Sequence, residues 1–271
     1  MEAQNSSSKT FSHGPKISQL ETLMKKTIFL VFMFYCTLAF SFDHQHQKWN
    51  GILQKYTLLK KKQVFVDYKG LLKNTSELNN YLANLSEVTP KSFANFTQNQ
   101  KLCFWINAYN AFTVKLILDH YPVKSIKNIG SFFSSPWSKE FIFLLGKKMS
   151  LDQIEHETIR RKFNEPRIHF AVNCASVGCP SLYQEAFRAN KIHEQLEAAT
   201  SAFLKNHNKN YRQDKVLYLS KIFKWYSEDF GDNEKNILAF VGQYLDVKGL
   251  SSVKYLDYDW SLNSLENGLK N

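Results

Sequence analysis

Phe104-Trp105-Ile106-Asn107-Ala108-Tyr109-Asn110-Ala111-Phe112-Thr113 lies inside an apolar-periodic stretch that runs from about residue 98 to 120, with Pro122 beyond it to stop a helix. Helical spacing lines up Cys103, Asn107 and Asn110 with Val114 and Ile117, and places Leu102, Ile106, Tyr109, Thr113 and Leu116 on a second stripe beside them. A helix apolar over so much of its circumference belongs in the middle of a core. Two carboxamides on a buried stripe must find hydrogen-bond partners. Either they satisfy the carbonyls of neighbouring loops or they face a polar site.

Around that helix the pattern predicts further helices near 46 to 60 and 75 to 86, and a hairpin over Phe141 to Met149 turning at Gly146-Lys147. Ser150-Leu151-Asp152-Gln153 reads as a capping box for a helix running to about Phe163. Arg167 to Asn173 reads as a strand, 191 to 206 as a helix and Val216 to Leu219 as a strand. A helix over 233 to 245, begun by Asp232, and a last strand over Val253 to Tyr258 complete the pattern. Helices outnumber strands and there is no regular βαβ alternation. The expected fold is therefore α+β: a single domain, helix-rich, with a small antiparallel or mixed sheet.

The N-terminus reads differently. Lys25 and Lys26 precede an uncharged apolar run from Thr27 to Ser41 that closes with Ala39-Phe40-Ser41 and gives way to Asp43-His44-Gln45. That is the layout of a cleavable signal peptide over 24–41, and the run is too short for a spanning helix, so a retained anchor is the lesser reading. Residues 1–23 read as a disordered extension or a start placed too early. Residues 42–271 are the expected globular domain, 230 residues long. The whole chain carries a formal +11; the removed segment holds four Lys against two Glu, so the mature chain is +9. Outside the cytoplasm, in the periplasm or secreted, such a charge meets an anionic envelope polymer or a membrane surface rather than nucleic acid. Its scatter along the chain, however, also fits an ordinary solvated surface. Cys103, Cys174 and Cys179 remain after cleavage, an odd number, so at least one thiol stays free or pairs outside the chain.

Arg167-Ile168-His169-Phe170-Ala171-Val172-Asn173-Cys174-Ala175-Ser176-Val177-Gly178-Cys179-Pro180 is richest in chemistry. Read as a strand, it points His169 and Asn173 to one side and Ile168, Phe170 and Val172 to the other, then enters a loop of small residues. An imidazole is the usual base near neutral pH and a thiolate the strongest common nucleophile. Five residues of extended strand would hold His169 and Cys174 roughly 16 Å apart, so they meet only if the chain turns back. The alternative is that His169 is structural and that Cys174 and Cys179 are paired or buried. A third segment, Ser220 to Asp232, packs aromatics and acids between a strand and a helix cap; within it Asp229 either orients an imidazole or caps a turn. No pair of histidines stands at ligand spacing with a carboxylate, Cys-x4-Cys lacks a second pair, and there is no Gly-rich phosphate loop, so neither metal nor cofactor is expected.

Phe104 to Ala111, His169 to Ser176 with Cys179-Pro180, Ser220 to Gly231, and Tyr258-Asp259-Trp260-Ser261-Leu262-Asn263 together resemble the domain-of-unknown-function family 547, over roughly residues 90 to 263. The resemblance implies export, as in many bacterial members, and no defined activity. The order of helix, His segment and acidic segment is also similar to papain-like and transglutaminase-like enzymes. Those carry their Cys at the start of the helix, and Cys103 is outside the family motifs, which counts against a cysteine-protease reading.

Two functions compete. One is an exported hydrolase or acyltransferase with Cys174 as nucleophile, His169 as base, and Asp229, Asn107 or Asn110 as orienting or oxyanion groups; Asn173, Ser176, Cys179, Ser220 and Tyr226 are the candidate binding groups around them. The other is a non-catalytic envelope binding or scaffold protein whose polar cluster holds the fold together. A closed, fully paired network favours the second, a concave partly open site the first.

Overall fold

The computed structural model describes residue 1, residues 42–130 and residues 134–270. The expected extension and signal peptide therefore lie outside the described residues. From Asp43 onward the described chain is one unit. Its first helix, α1 (Gln47–Tyr56), buries Trp49, Ile52, Leu53 and Tyr56, a single i, i+3, i+4, i+7 stripe. The helix stops short of residue 60 because the chain turns into a hairpin of β1 (Thr57–Lys60) and β2 (Gln63–Val66). Lys61 and Lys62 close it at φ 48 and 63, the left-handed pair a two-residue hairpin needs. Neither is the Gly or Asn that would announce such a turn. Burial of all four β2 residues holds it in place.

After α2 (Tyr68–Leu72), α3 (Ser76–Ser86) and α4 (Pro90–Ala94) comes the central helix, α5 (Gln98–Asp119). It starts at a capping box: the Gln100 N–H donates to the Thr97 hydroxyl at 3.2 Å and the Thr97 N–H to the Gln100 carboxamide at 2.8 Å. Every residue from Leu102 to Leu118 except Lys115 is buried, as its all-round apolar character demands. Helices α2 and α3 and the later helix α6 pack around it.

The expected hairpin forms as β3 (Ile142–Leu144) with β4 (Lys147–Met149), but it turns at Leu145-Gly146, both left-handed, and Lys147 is already the first residue of β4. The box at Ser150 and Gln153 follows and starts α6, over 151–162. Its middle, Gln153–Ile159, is wound as a π-helix, a form that recurs at functional sites.

Arg167 to Asn173 is not a strand. Pro166–Phe170 is a 3₁₀ turn, begun by Pro166 and by the Glu165 carboxylate accepting from the Arg167 N–H at 3.2 Å. The apolar alternation there is coincidental, since Ile168 through Asn173 are all buried whatever their parity. No neighbouring strand takes the backbone groups that follow; side-chain amides do.

Helix α7 (Ile192–Leu204) leads to a sheet of order β5-β6-β7, made of β5 (Tyr211–Gln213), β6 (Val216–Leu219) and β7 (Ser252–Tyr255). The first pair is antiparallel and the second parallel, so the sheet is mixed and the α+β expectation holds. Between β6 and β7 lie α8 (Ile222–Trp225), a 3₁₀ turn (Ser227–Phe230) and α9 (Glu234–Val241), which Asn233 caps rather than Asp232. Strand β7 ends at Tyr255, three residues before the expectation, which frees Tyr258 and Trp260 to turn toward the site. A short α10 (Leu265–Lys270) ends the described chain. Phe170, Phe203, Phe223 and Phe230 form an aromatic core with α7, α8 and α9 packed on it.

Candidate functional site

His169 sits in the 3₁₀ turn with its ring almost wholly buried. Its Nε2 meets the Asp229 Oδ2 at 2.5 Å, and its face stacks on Tyr226 with ring centres 4.0 Å apart. An ionised carboxylate only accepts, so Asp229 places the ring proton on Nε2 and leaves Nδ1 for proton exchange. Arg160, from the last turn of α6, grips the same carboxylate through Nε at 2.5 Å and Nη2 at 3.1 Å. Burial pushes the Asp229 acid up, but the bonds from His169 and Arg160 outweigh it and hold the group well below the usual carboxylate range. Asp229 is therefore an ion that orients His169.

Cys174 lines the same cavity, partly exposed, in the loop that follows. Its sulfur is 2.8 Å from the Cys179 Sγ, 3.1 Å from the Ser176 Oγ and 3.4 Å from the Tyr258 hydroxyl. Burial raises the Cys174 thiol, but these hydrogen bonds and the Ser176 backbone together lower it to about 7. Cys179, deeper and beside that sulfur, is pushed far up. Cys174, Cys179 and Cys103 are all free thiols, so neither thiol of the loop pair is tied up in a disulfide. No hydrogen bond joins the Cys174 sulfur to the His169 ring.

The loop is held by amides. Asn110 donates to the Ala171 carbonyl at 2.9 Å and accepts from the Asn173 N–H at 2.8 Å. Asn107 does the same to both backbone groups of Phe187, at 2.8 and 3.0 Å. Asn173 donates to the Pro180 carbonyl, accepts from the Ala175 N–H and receives a bond from Asn263. Ala175 is left at φ 60, a left-handed conformation beside the thiol. At Gly178 a Cβ would come within 2.9 Å of the Asp259 backbone, so only glycine lets the 258–260 segment close over the loop. From behind, the buried Lys209 ammonium donates to the Cys179 carbonyl. Burial lowers that lysine to about 8.

Of the residues expected from sequence, His169, Cys174, Cys179 and Tyr226 line one cavity of about 200 Å³. Asp229 and Ser176 stand directly behind its lining, bonded to His169 and Cys174. Asn107, Asn110 and Asn173 do not reach it; their amides are spent on loop backbone, which is the structural alternative for the α5 stripe. Ser220 is also elsewhere, accepting from the Ile222 N–H at the start of α8.

The rest of the lining escaped the sequence reading. Asp152, Glu155 and His156 come from α6, and Trp137, Trp225 and Trp260 from three separate segments. Asp152, His156 and Arg160 at four-residue spacing were a detectable one-face signal on that helix. Among the described residues no cluster of three His, Cys, Asp or Glu side chains is placed to hold a metal ion, and no helix is long and apolar enough to cross a membrane.

Residues 93–204 match a family described as "Protein of unknown function, DUF547". The match spans α5, α6 and the Cys174 loop and stops before Asp229 and Tyr258. Searches of curated proteins and of solved structures find no match.

Proposed function

We propose that this chain, whose residues 93–204 match the DUF547 family, is an acyl-transferring enzyme of the hydrolase or acyltransferase type with Cys174 as nucleophile. The observation that carries this reading is an Arg160-braced Asp229–His169 pair facing the same cavity as a thiol lowered to about 7. The Cys174 thiol gives up its proton across the cavity to His169 Nδ1, the thiolate attacks the carbonyl carbon, and the Tyr258 and Ser176 hydroxyls beside the sulfur are donors for the developing oxyanion. As the carbon–heteroatom bond breaks, His169 delivers a proton to the leaving group. Water, deprotonated by His169 Nδ1, or an acceptor nucleophile then releases the acyl group from the sulfur. Asp229 keeps the ring in the required tautomer throughout.

Burst kinetics with p-nitrophenyl acetate test the assignment. Cys174→Ser is expected to abolish the burst, and His169→Ala or Asp229→Asn to slow turnover by about 10²–10⁴-fold. A burst that survives in Cys174→Ser removes the proposal.

The site works outside the cytoplasm in this reading, after cleavage following Ser41; the intact mass of protein recovered from the envelope or medium, beginning at Phe42 or not, decides that point.

A further inference from the structure

Lys and Arg outnumber Asp and Glu by 35 to 24 in this chain, yet among the described residues no Lys or Arg lines the cavity that holds Cys174 and His169. Its charged lining is Asp152 and Glu155, with His156 between them. Glu155 is more than nine-tenths buried, and the hydrogen bond its carboxylate makes is from the Tyr226 hydroxyl, at 2.8 Å. Among the described residues it has no salt bridge: the guanidinium closest in sequence, that of Arg160, interacts with it only at longer range and is bonded to Asp229 and His156. A buried carboxylate that faces a cavity, with one hydrogen bond and a guanidinium shared with Asp229, gains from a further cation.

Another part of the lining is aromatic. Trp225, Tyr258 and Trp260 form a mutual cluster with ring centres 4.6 to 5.8 Å apart, and Trp137 meets Trp260 edge-on at 5.8 Å. Trp225 is about half exposed, unusual for so large an apolar side chain. The ring system already receives one ammonium, since Lys127 Nζ lies 4.7 Å from the Trp260 ring centre without being part of the cavity. Electron-rich ring faces and two carboxylates, Asp152 with the His156 imidazole at 3.9 Å and Glu155 without a salt bridge among the described residues, share one preference: an organic cation.

We infer that the cavity recognises an amine-bearing acyl substrate, seating an alkylammonium group between Glu155 and Asp152 and the Trp225–Tyr258–Trp260 cluster. This specificity rests on the acyl-transfer reading above and names its substrate class. A volume of about 200 Å³ admits one side-chain-sized group rather than a folded partner. Anionic acyl donors are excluded by the same carboxylates.

Tryptophan fluorescence of the full chain, titrated with Nα-acetyl-lysine amide, Nα-acetyl-norleucine amide and Nα-acetyl-glutamate amide, reads binding without any need for turnover. The lysine derivative is expected to bind roughly tenfold tighter than its neutral isostere, with the preference shrinking as salt is added. It is also expected to slow iodoacetamide labelling of Cys174. Glu155→Gln, which keeps an acceptor for Tyr226, and the more exposed Asp152→Asn are each expected to erode the preference. Equal binding of lysine and norleucine amides, tighter binding of the glutamate amide, or no binding of any of the three overturns the inference. A selective lysine response in a protein that shows no acyl burst instead overturns the catalytic reading and leaves the cation site standing.

Discussion

In the proposed reaction the Cys174 sulfur is the nucleophile, and its neighbours predict how it titrates. Hydrogen bonds from Cys179, Ser176 and Tyr258 outweigh burial, so the rate of iodoacetamide labelling is expected to rise with pH through a midpoint at about 7. Ser176→Ala and Tyr258→Phe each remove a donor to the thiolate and are expected to move that midpoint upward. Cys103, buried in α5 and pushed up to about 12, stays silent over the same range and serves as an internal control. A midpoint unchanged in both variants would mean that these hydroxyls do not stabilise the thiolate. His169, Cys174 and Asp229 were legible as candidates because few residue types can serve as base, nucleophile and orienting carboxylate. Glu155 and Arg160 were not, because their helix was read for its cap and not for its face.

At the scale of elements, the unusual object is the stretch over 171–191, which has neither helix nor strand; its backbone meets another segment at the isolated bridge Ser176↔Leu262 and in bonds of Ala175, Val177 and Gly178 with Asn263, Ser261 and Asp259. A segment this long and buried must have its backbone groups satisfied somehow. Asn107 and Asn110 on α5 and Gln195 on α7 each bind a backbone N–H and a backbone carbonyl, at Phe187, at Ala171 with Asn173, and at Ala186 with Arg188. Each amide stands where the edge of a strand would in a regular sheet. Asn110→Ala strips partners from two buried backbone groups and is expected to cost about 2–4 kcal/mol, measured as a lowered urea midpoint. A loss below about 1 kcal/mol would show that water replaces the amide. The sequence flagged these two asparagines as needing a partner and left open which. The strand expected at 167–173 failed for the same reason, since alternation shows which residues are apolar but not that another strand is there to pair with.

For the whole molecule, stability is expected to fall in acid through groups far from the cavity as well as within it. His46 is buried against the Tyr81 hydroxyl, and burial lowers it from 6.5 to about 3. Between those values the unfolded chain binds a proton that the folded chain refuses, so this contribution is whole above pH 6.5 and drains away as pH falls toward about 3, by at most about 1.4 kcal/mol per pH unit. Asp229, held low by His169 and Arg160, adds its own loss as pH drops below the ordinary carboxylate range. His46→Asn, a residue that tolerates the φ of 48 at this position, is expected to flatten the stability profile between pH 6.5 and 4.5, as read by urea unfolding. An unchanged slope would assign the acid sensitivity elsewhere. Helix α5, the capping box that starts α6, the β3–β4 hairpin and the α+β class were all determined by the sequence alone, because periodicity, caps and turn residues act over a few positions. Only tertiary structure decided that the α5 amides serve backbone, that a Lys61-Lys62 turn makes a hairpin, that Arg160 braces Asp229, and that Glu155, Tyr258 and Trp260 line one cavity with Cys174. These depend on which surfaces meet across long separations in the chain, and burial free energy chooses among such meetings without leaving a local mark.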